Sequence, residues 1–446
     1  MRTPIWDFVR RYADAAPVRF HMPGHKGCGA LGCEPLDITE IHGADVLSHA
    51  EGIIAESEAS ATALFGTAHS FYSTEGSTLA IKTMLALVIA GAKRDERPTV
   101  LAARNAHKAF VYAAALLDFD VHWIYPESAE HLCGGQPSAD EVDKLLSSME
   151  QKPVALYLTS PDYLGNMADV ASISTVCKRY GVPLLVDNAH GAYLQFLSPS
   201  RHPIALGATM CCDSAHKTLP VLTGGAYLHV SRDADAAYVE RARATMAVFA
   251  TTSPSYLILS SLDLCNRYLA DGYAERLAES VARLERVRKQ IADMGFSVSV
   301  REPQKLVIDA ARAGYAGDEL ADRLREGGVE VEFSDRDVVV LMASPENTDR
   351  DYERLCALLS AIPIGKPNAR KVLLPEAGER CMSIREAIFA RRETVSVGES
   401  LGRICATPTV SCPPAIPIAI SGERIGARAV EIFSAYGIDQ IDVVVE

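Results

Sequence analysis

From about Ala61 to Ser231 the chain alternates helical patterns with short, continuous apolar runs, and this βα rhythm limits its fold more than any other feature. Thr99-Val100-Leu101-Ala102, Val121-His122-Trp123-Ile124, Val154-Ala155-Leu156-Tyr157-Leu158, Leu184-Leu185-Val186, Thr209-Met210-Cys211-Cys212 and Ala226-Tyr227-Leu228-His229-Val230 predict strands. Leu79 to Ala92 and Val170 to Tyr180 predict helices; Gly181 has the C-cap role for the second, and Pro183 marks where it cannot continue. Strands that are apolar along their whole length are buried on both faces, so the expected class is α/β, a mostly parallel sheet sandwiched by helices. A long helical pattern from Ala274 to Met294 leads into a smaller αβ lobe with strands Lys305-Leu306-Val307-Ile308 and Val338-Val339-Val340-Leu341. Pro363-Ile364-Gly365-Lys366-Pro367-Asn368 reads as a linker, and Cys412-Pro413-Pro414-Ala415-Ile416-Pro417 belongs to a C-terminal piece.

Composition excludes several classes. At 446 residues the chain can bury a large core and one or two smaller lobes. Lys+Arg 44 against Asp+Glu 57 gives a net charge of -13, which argues against nucleic acid or an anionic membrane as partner. No apolar run reaches the roughly 18 residues of a spanning helix. The first residues, Met1-Arg2-Thr3-Pro4, lack the apolar stretch of a secretion signal, so the cytoplasm is the expected compartment. The 11 cysteines are odd in number and scattered, without a C-x-x-C pair, as expected of reduced, buried thiols rather than a disulfide framework or zinc site.

Three segments carry the chemistry. In Asp213-Ser214-Ala215-His216-Lys217-Thr218-Leu219-Pro220 a lysine follows a strand end among small and apolar residues. Desolvation there lowers an amine's pKa and makes it nucleophilic towards an aldehyde cofactor; a solvated loop lysine is the plain alternative. In Val186-Asp187-Asn188-Ala189-His190-Gly191 an aspartate ends a buried strand, where an ionised carboxylate needs a cationic partner such as a protonated pyridine nitrogen, or else simply caps the next turn. Ser73-Thr74-Glu75-Gly76-Ser77-Thr78 opens a helix, either as a phosphate cradle or as an ordinary N-cap.

In order, the phosphate turn, His107, Asp187 and Ser214-x-His216-Lys217 resemble pyridoxal-phosphate enzymes of the aspartate-aminotransferase fold (fold type I). More narrowly, the chain is similar to the prokaryotic ornithine/lysine/arginine decarboxylases. That likeness rests on Arg19-Phe20-His21-Met22-Pro23-Gly24-His25-Lys26-Gly27, Arg104-Asn105-Ala106-His107-Lys108, Thr159-Ser160-Pro161-Asp162-Tyr163-Leu164-Gly165 and Ser253-Pro254-Ser255-Tyr256, and runs through Arg385-Glu386-Ala387 to Gly422-Glu423. It implies an N-terminal arm (1–50), a large cofactor-binding domain (51–270), a small αβ lobe (271–362) and a C-terminal domain of the decarboxylase type (369–446), as in the short form without an N-terminal wing.

The resemblance makes Lys217 the Schiff-base lysine and Asp187 the partner of the pyridinium nitrogen. His107 would stack on one cofactor face and Ala189 pack on the other. Gly76, Ser77, Thr78, Ser214 and His216 would hold the phosphate, and His190 would lie near the substrate carboxylate or the cofactor hydroxyl. Thr252 and Ser253 would reach the neighbouring subunit's phosphate, which implies a homodimer at least. Glu423 is nominated to receive the distal cation of the substrate. The implied activity is pyridoxal 5'-phosphate-dependent decarboxylation of arginine, lysine or ornithine to its amine and CO2, in polyamine synthesis or acid resistance. An aminotransferase or other fold relative and a catalytically silent, cofactor-binding paralogue are the alternatives; an aminotransferase would carry a carboxylate-clamping arginine on the strand that here reads Val338 to Ser344, and Arg336 lies just before it.

Three positions depart from the family pattern. Asn188 replaces a glutamate, Ala109 replaces a serine after His107-Lys108, and Glu75 stands where an asparagine is usual, setting a negative charge beside the phosphate turn unless its side chain points away. No metal is expected: His21 and His25 have helical i, i+4 spacing, but Pro23-Gly24 between them opposes a helix.

Overall fold

The computed structural model describes residues 1–92, 97–125, 127, 129–299, 301–368, 371–408 and 416–445. Cys412 to Ala415 of the proline-rich segment lie outside the described residues. The chain forms two compact units: Met1–Pro98 with Ala139–Leu158 and Asp169–Ala274, and Thr99–Ser138 with Thr159–Ala168 and Glu275–Glu446.

The alternating region yields seven strands: β1 (His69–Ser73), β2 (Thr99–Ala103), β3 (Asp120–Ile124), β4 (Ala155–Thr159), β5 (Leu184–Asp187), β6 (Met210–Asp213) and β7 (Ala226–Val230). In the first unit they run in the order β1-β7-β6-β5-β4. β5 and β6 are parallel, with Asp187 level with Cys212. β7 is the reversed strand, antiparallel to both β6 and β1. Every residue of β5, β6 and β7 is buried, as uninterrupted apolar strands require. Because Ser73 pairs with Ala226 and Asp213 with Tyr227, the carboxyl ends of β1 and β6 lie at one edge, and the parallel register brings the end of β5 to the same edge. In sheets of this kind that edge is where ligands bind.

Local chemistry explains the connections. The helix Val170–Tyr180 begins where the Asp169 carboxylate accepts the Ser172 N–H and stops at Gly181, φ 67°. The helix after β1 begins at Gly76, three residues before the apolar periodicity starts, because the small polar residues of the turn enter its first turn.

In the second unit β2 and β3 pair in parallel. A separate antiparallel sheet, built from β8 (Ser297–Ser299), β9 (Lys305–Asp309), β10 (Phe333–Ser334) and β11 (Val338–Met342), has the order β10-β11-β9-β8. It packs with the long helix Tyr273–Asp293 around Leu284, Ile291, Ile308, Leu320 and Val339. Near the C-terminus β12 (Arg392–Ser396) and β13 (Gln440–Val444) form a two-stranded pair over a core containing Cys405, Ile432, Phe433 and Ile441. The cysteines among the described residues are free thiols, and among those residues no helix is long and apolar enough to cross a membrane.

Candidate active site

Lys217 sits in a four-residue helical turn, Ala215–Thr218, directly after β6. Its Nζ lies 3.1 Å from Nε2 of His190, which follows β5. Lys217 is exposed, which corrects the expectation that apolar surroundings desolvate it. The turn carries it past the carboxyl end of the strand, where His190 is its side-chain neighbour.

Asp187 is buried at the end of β5. Oδ2 accepts the Tyr157 hydroxyl at 3.1 Å, and Oδ1 accepts the Ala189 N–H at 3.2 Å and the Cys212 thiol at 3.5 Å. The turn-capping contact is therefore real, yet among the described residues none of the donors to Asp187 is cationic. A buried carboxylate held only by neutral donors is a seat for a cation brought by a ligand. The same negative charge lies behind the upward push on its neighbours: burial, then Asp187, raises both the Tyr157 phenol and the Cys212 thiol.

The phosphate turn is built from both sides. Ser214 donates from Oγ to Ser77 Oγ at 2.9 Å, joining the lysine turn to the helix start, while Thr78 is exposed beside them. Gly76 N–H donates to Gly224 O at 2.7 Å, so Gly76 supplies the turn rather than a free donor. Gly224 has φ +98°, and a Cβ there would stand 2.9 Å from Thr74 O; only glycine lets the two loops approach. Glu75 does point away: its Oε1 accepts the Thr251 N–H at 2.7 Å, just ahead of the exposed Thr252 and Ser253. His216 gives both its backbone N–H and Nδ1–H to Gly225 O, at 3.1 and 3.0 Å. Burial, reinforced by Lys217, holds this ring below its ordinary pKa against the opposing effect of that carbonyl.

Lys217, His190, Asp187, Ala189, Ser214, His216, Gly76, Ser77 and Thr78 thus come together at one sheet edge of the first unit. His107 belongs to the second unit. It caps the helix Lys108–Leu117, its Nδ1 accepting the Ala109 N–H at 3.1 Å, a capping role that did not show in the motif. Glu423, also of the second unit, is half-buried and lines a cavity of 240 Å³ with Trp123, Tyr125 and Arg380. Burial raises its carboxyl pKa, opposed by Arg104. Arg104 itself donates to the carbonyls of Pro417 and Ile418 at 2.6 and 2.9 Å.

Three other residues that the sequence singled out have different work. Arg336 pairs with Asp337 at 3.0 Å and reaches Lys371 O at 3.3 Å, so it is engaged beside its own strand. His21 contacts the Tyr12 hydroxyl at 2.6 Å and His25 faces Asp37 at 3.2 Å, in a segment that is not helical. Tyr157, Cys212 and Asp213 were missed as site residues. Only Asp213, next to Ser214 in the lysine motif, carried a signal that could have found it.

The family match and the sequence relatives point to one family. Residues 3–313 match the family described as "Orn/Lys/Arg decarboxylase, major domain". An arginine decarboxylase of Halalkalibacterium halodurans is 30% identical over 95% of this chain and 91% of its own, and one of Bacillus subtilis is 28% identical over the same shares. An uncharacterized Bacillus subtilis protein, YaaO, is 29% identical over 97% of this chain and 94% of its own. Among solved structures, the constitutive lysine decarboxylase of E. coli superposes with TM-score 0.78 at 18% identity, covering 100% of this chain and 82% of its own. The serine palmitoyltransferase of Sphingomonas wittichii superposes with TM-score 0.57 at 16% identity, covering 79% of this chain and 82% of its own. At these identities the structural matches show the fold, a large, mostly parallel sheet with helices.

Proposed function

The chain belongs to the Orn/Lys/Arg decarboxylase family and is a decarboxylase, and from that premise we propose that it uses pyridoxal 5'-phosphate to convert a basic L-amino acid to its amine and CO2. Arginine leads over lysine and ornithine, because the relatives that match nearly the whole chain and have a named activity are arginine decarboxylases. The observation that carries the cofactor is Asp187, a buried carboxylate whose donors are all neutral, one strand away from an exposed lysine on the same sheet edge.

When bound, the cofactor supplies an electron sink for the pair left as CO2 departs. Lys217 would anchor it covalently, and Asp187 would balance the positive charge of its ring nitrogen. Ser77, Thr78 and Ser214 offer hydroxyls to the phosphate. His216 would stand beside them, oriented by the Nδ1–H it gives to Gly225. Ala189 would pack against the ring, and by the family resemblance His107 would stack on it. Lys217 Nζ and His190 Nε2, 3.1 Å apart, share a proton and so can return one to the substrate Cα. Glu423 receives the distal cation, and Thr252 and Ser253 meet the phosphate of a second copy in a cytoplasmic homodimer. The arm (1–50), large domain (51–270), small lobe (271–362) and C-terminal domain (369–446) are the proposed divisions of the chain.

The test is amine formation, followed by mass spectrometry, with purified protein, pyridoxal phosphate, and arginine, lysine and ornithine in competition. One dominant amine is expected; no amine from any of the three would overturn the reading. Within it, Glu423→Gln removes the anion that meets the distal cation, so KM for the preferred amino acid should rise by about 10- to 100-fold with a smaller change in kcat. An unchanged KM would remove Glu423 from substrate binding.

A further inference from the structure

We infer that Asp213 is a positioning residue of the lysine site, holding through Asn188 the turn that sets His190 against Lys217. This rests on the cofactor-dependent reading above. Asp213 ends β6, is fully buried, and lies immediately before Ser214 and the lysine turn. Its Oδ2 accepts from His202 Nε2 at 3.0 Å and from His229 Nε2 at 3.1 Å, and its Oδ1 accepts from Asn188 Nδ2 at 2.7 Å. The histidines are set for this from behind. The Ile204 N–H points at His202 Nδ1 (3.4 Å) and Ser70 Oγ lies 2.8 Å from His229 Nδ1, which leaves each Nε2 with the proton.

Asn188 transmits the constraint. Its backbone N–H donates to Cys212 O at 3.0 Å, and its carbonyl accepts the Gly191 N–H at 2.8 Å. With the side chain tied to Asp213, both ends of the turn bearing Ala189 and His190 are fixed. Gly191 makes room for the device, since a Cβ there would stand 2.0 Å from Asn188 Oδ1. The departure from the family's Asp-Glu-Ala-His now has a reason: a glutamate at 188 would present one carboxylate to another. At position 188 the asparagine amide donates where an ionised glutamate could not, so Asn188 and Asp213 are a matched pair.

Exchanging the pair tests this. Wild type, Asn188→Asp, and the double exchange Asn188→Asp with Asp213→Asn are titrated with pyridoxal phosphate, without substrate, and the dissociation constant is read from the absorbance. At about pH 8 the single variant sets two carboxylates face to face and should bind on the order of tenfold more weakly. At about pH 6 one shared proton can bridge them, so the deficit relative to wild type should shrink. The groups that bear on this proton are His202, His229, Cys211, Cys212, Asp187 and Tyr227; each is present in wild type, so the ratio isolates the new pair. The double exchange restores one amide and one carboxylate and should return to within about threefold of wild type. If Asn188→Asp fails to fold, the double exchange decides alone. A single variant that binds like wild type, or a folded double exchange that binds on the order of tenfold more weakly, overturns the inference. A wild type that takes up no cofactor overturns the underlying reading instead.

Discussion

Lys217→Ala is expected to lower amine formation on the order of a thousandfold or more, while leaving the protein folded. Lys217 is exposed on a short turn, so its loss opens no cavity and should move stability by only about 0.5 kcal/mol. Its amine is the nucleophile that lies 3.1 Å from His190 Nε2. Activity by mass spectrometry and melting temperature on the same preparation check both halves. A variant that still makes amine at more than about a tenth of the wild-type rate would move the anchor away from Lys217.

Asp187→Asn should part function from stability in opposite directions. The amide keeps the shape of the carboxylate, its oxygen accepting from the Ala189 N–H and its NH2 donating to the Tyr157 hydroxyl, but it cannot balance a positive ring nitrogen. A fall in kcat of about 10²- to 10³-fold follows, the scale of removing a preorganised charge from a buried site. The cofactor-free protein should meanwhile melt no lower than wild type, because a buried anion held by neutral donors is replaced by a neutral group. Differential scanning calorimetry of the cofactor-free forms reads this directly. A marked loss of stability together with unchanged kcat would make Asp187 a structural carboxylate.

The fold was legible where local chemistry and periodicity agree. Val170 to Tyr180 is helical from end to end because Asp169 and Gly181 cap it, and the buried strands follow from unbroken apolar runs. The direction of β7 was not legible. Ala226 to Val230 looks like any other strand of the set, and only the tight return through Gly224 and Gly225 turns it antiparallel. Of the site, the lysine, the aspartate and the phosphate turn stood out because their residue types are unusual at strand ends. Tyr157 did not, since a tyrosine inside a buried strand reads as core until its hydroxyl is seen on Asp187. Nor did the exposure of Lys217, which depends on one helical turn extending beyond the sheet. The Glu75 charge was a problem only in one dimension; the backbone of Thr251, distant in sequence, accounts for where it goes.

The interleaved course of the chain bears on how it is made. The strand that lies between β1 and β6 is the last of the seven to be synthesised, so His69–Ser73 must wait until Ala226–Val230 has been made before the sheet closes. Neither unit is contiguous, since each takes segments from both sides of the other. Pairings between parts so far apart in sequence form slowly, and a nascent chain halted before β7 would display the unpaired edges of β1 and β6. The strand that closes the sheet at the lysine edge is therefore also the one whose late arrival leaves unfinished chains open to association through those edges.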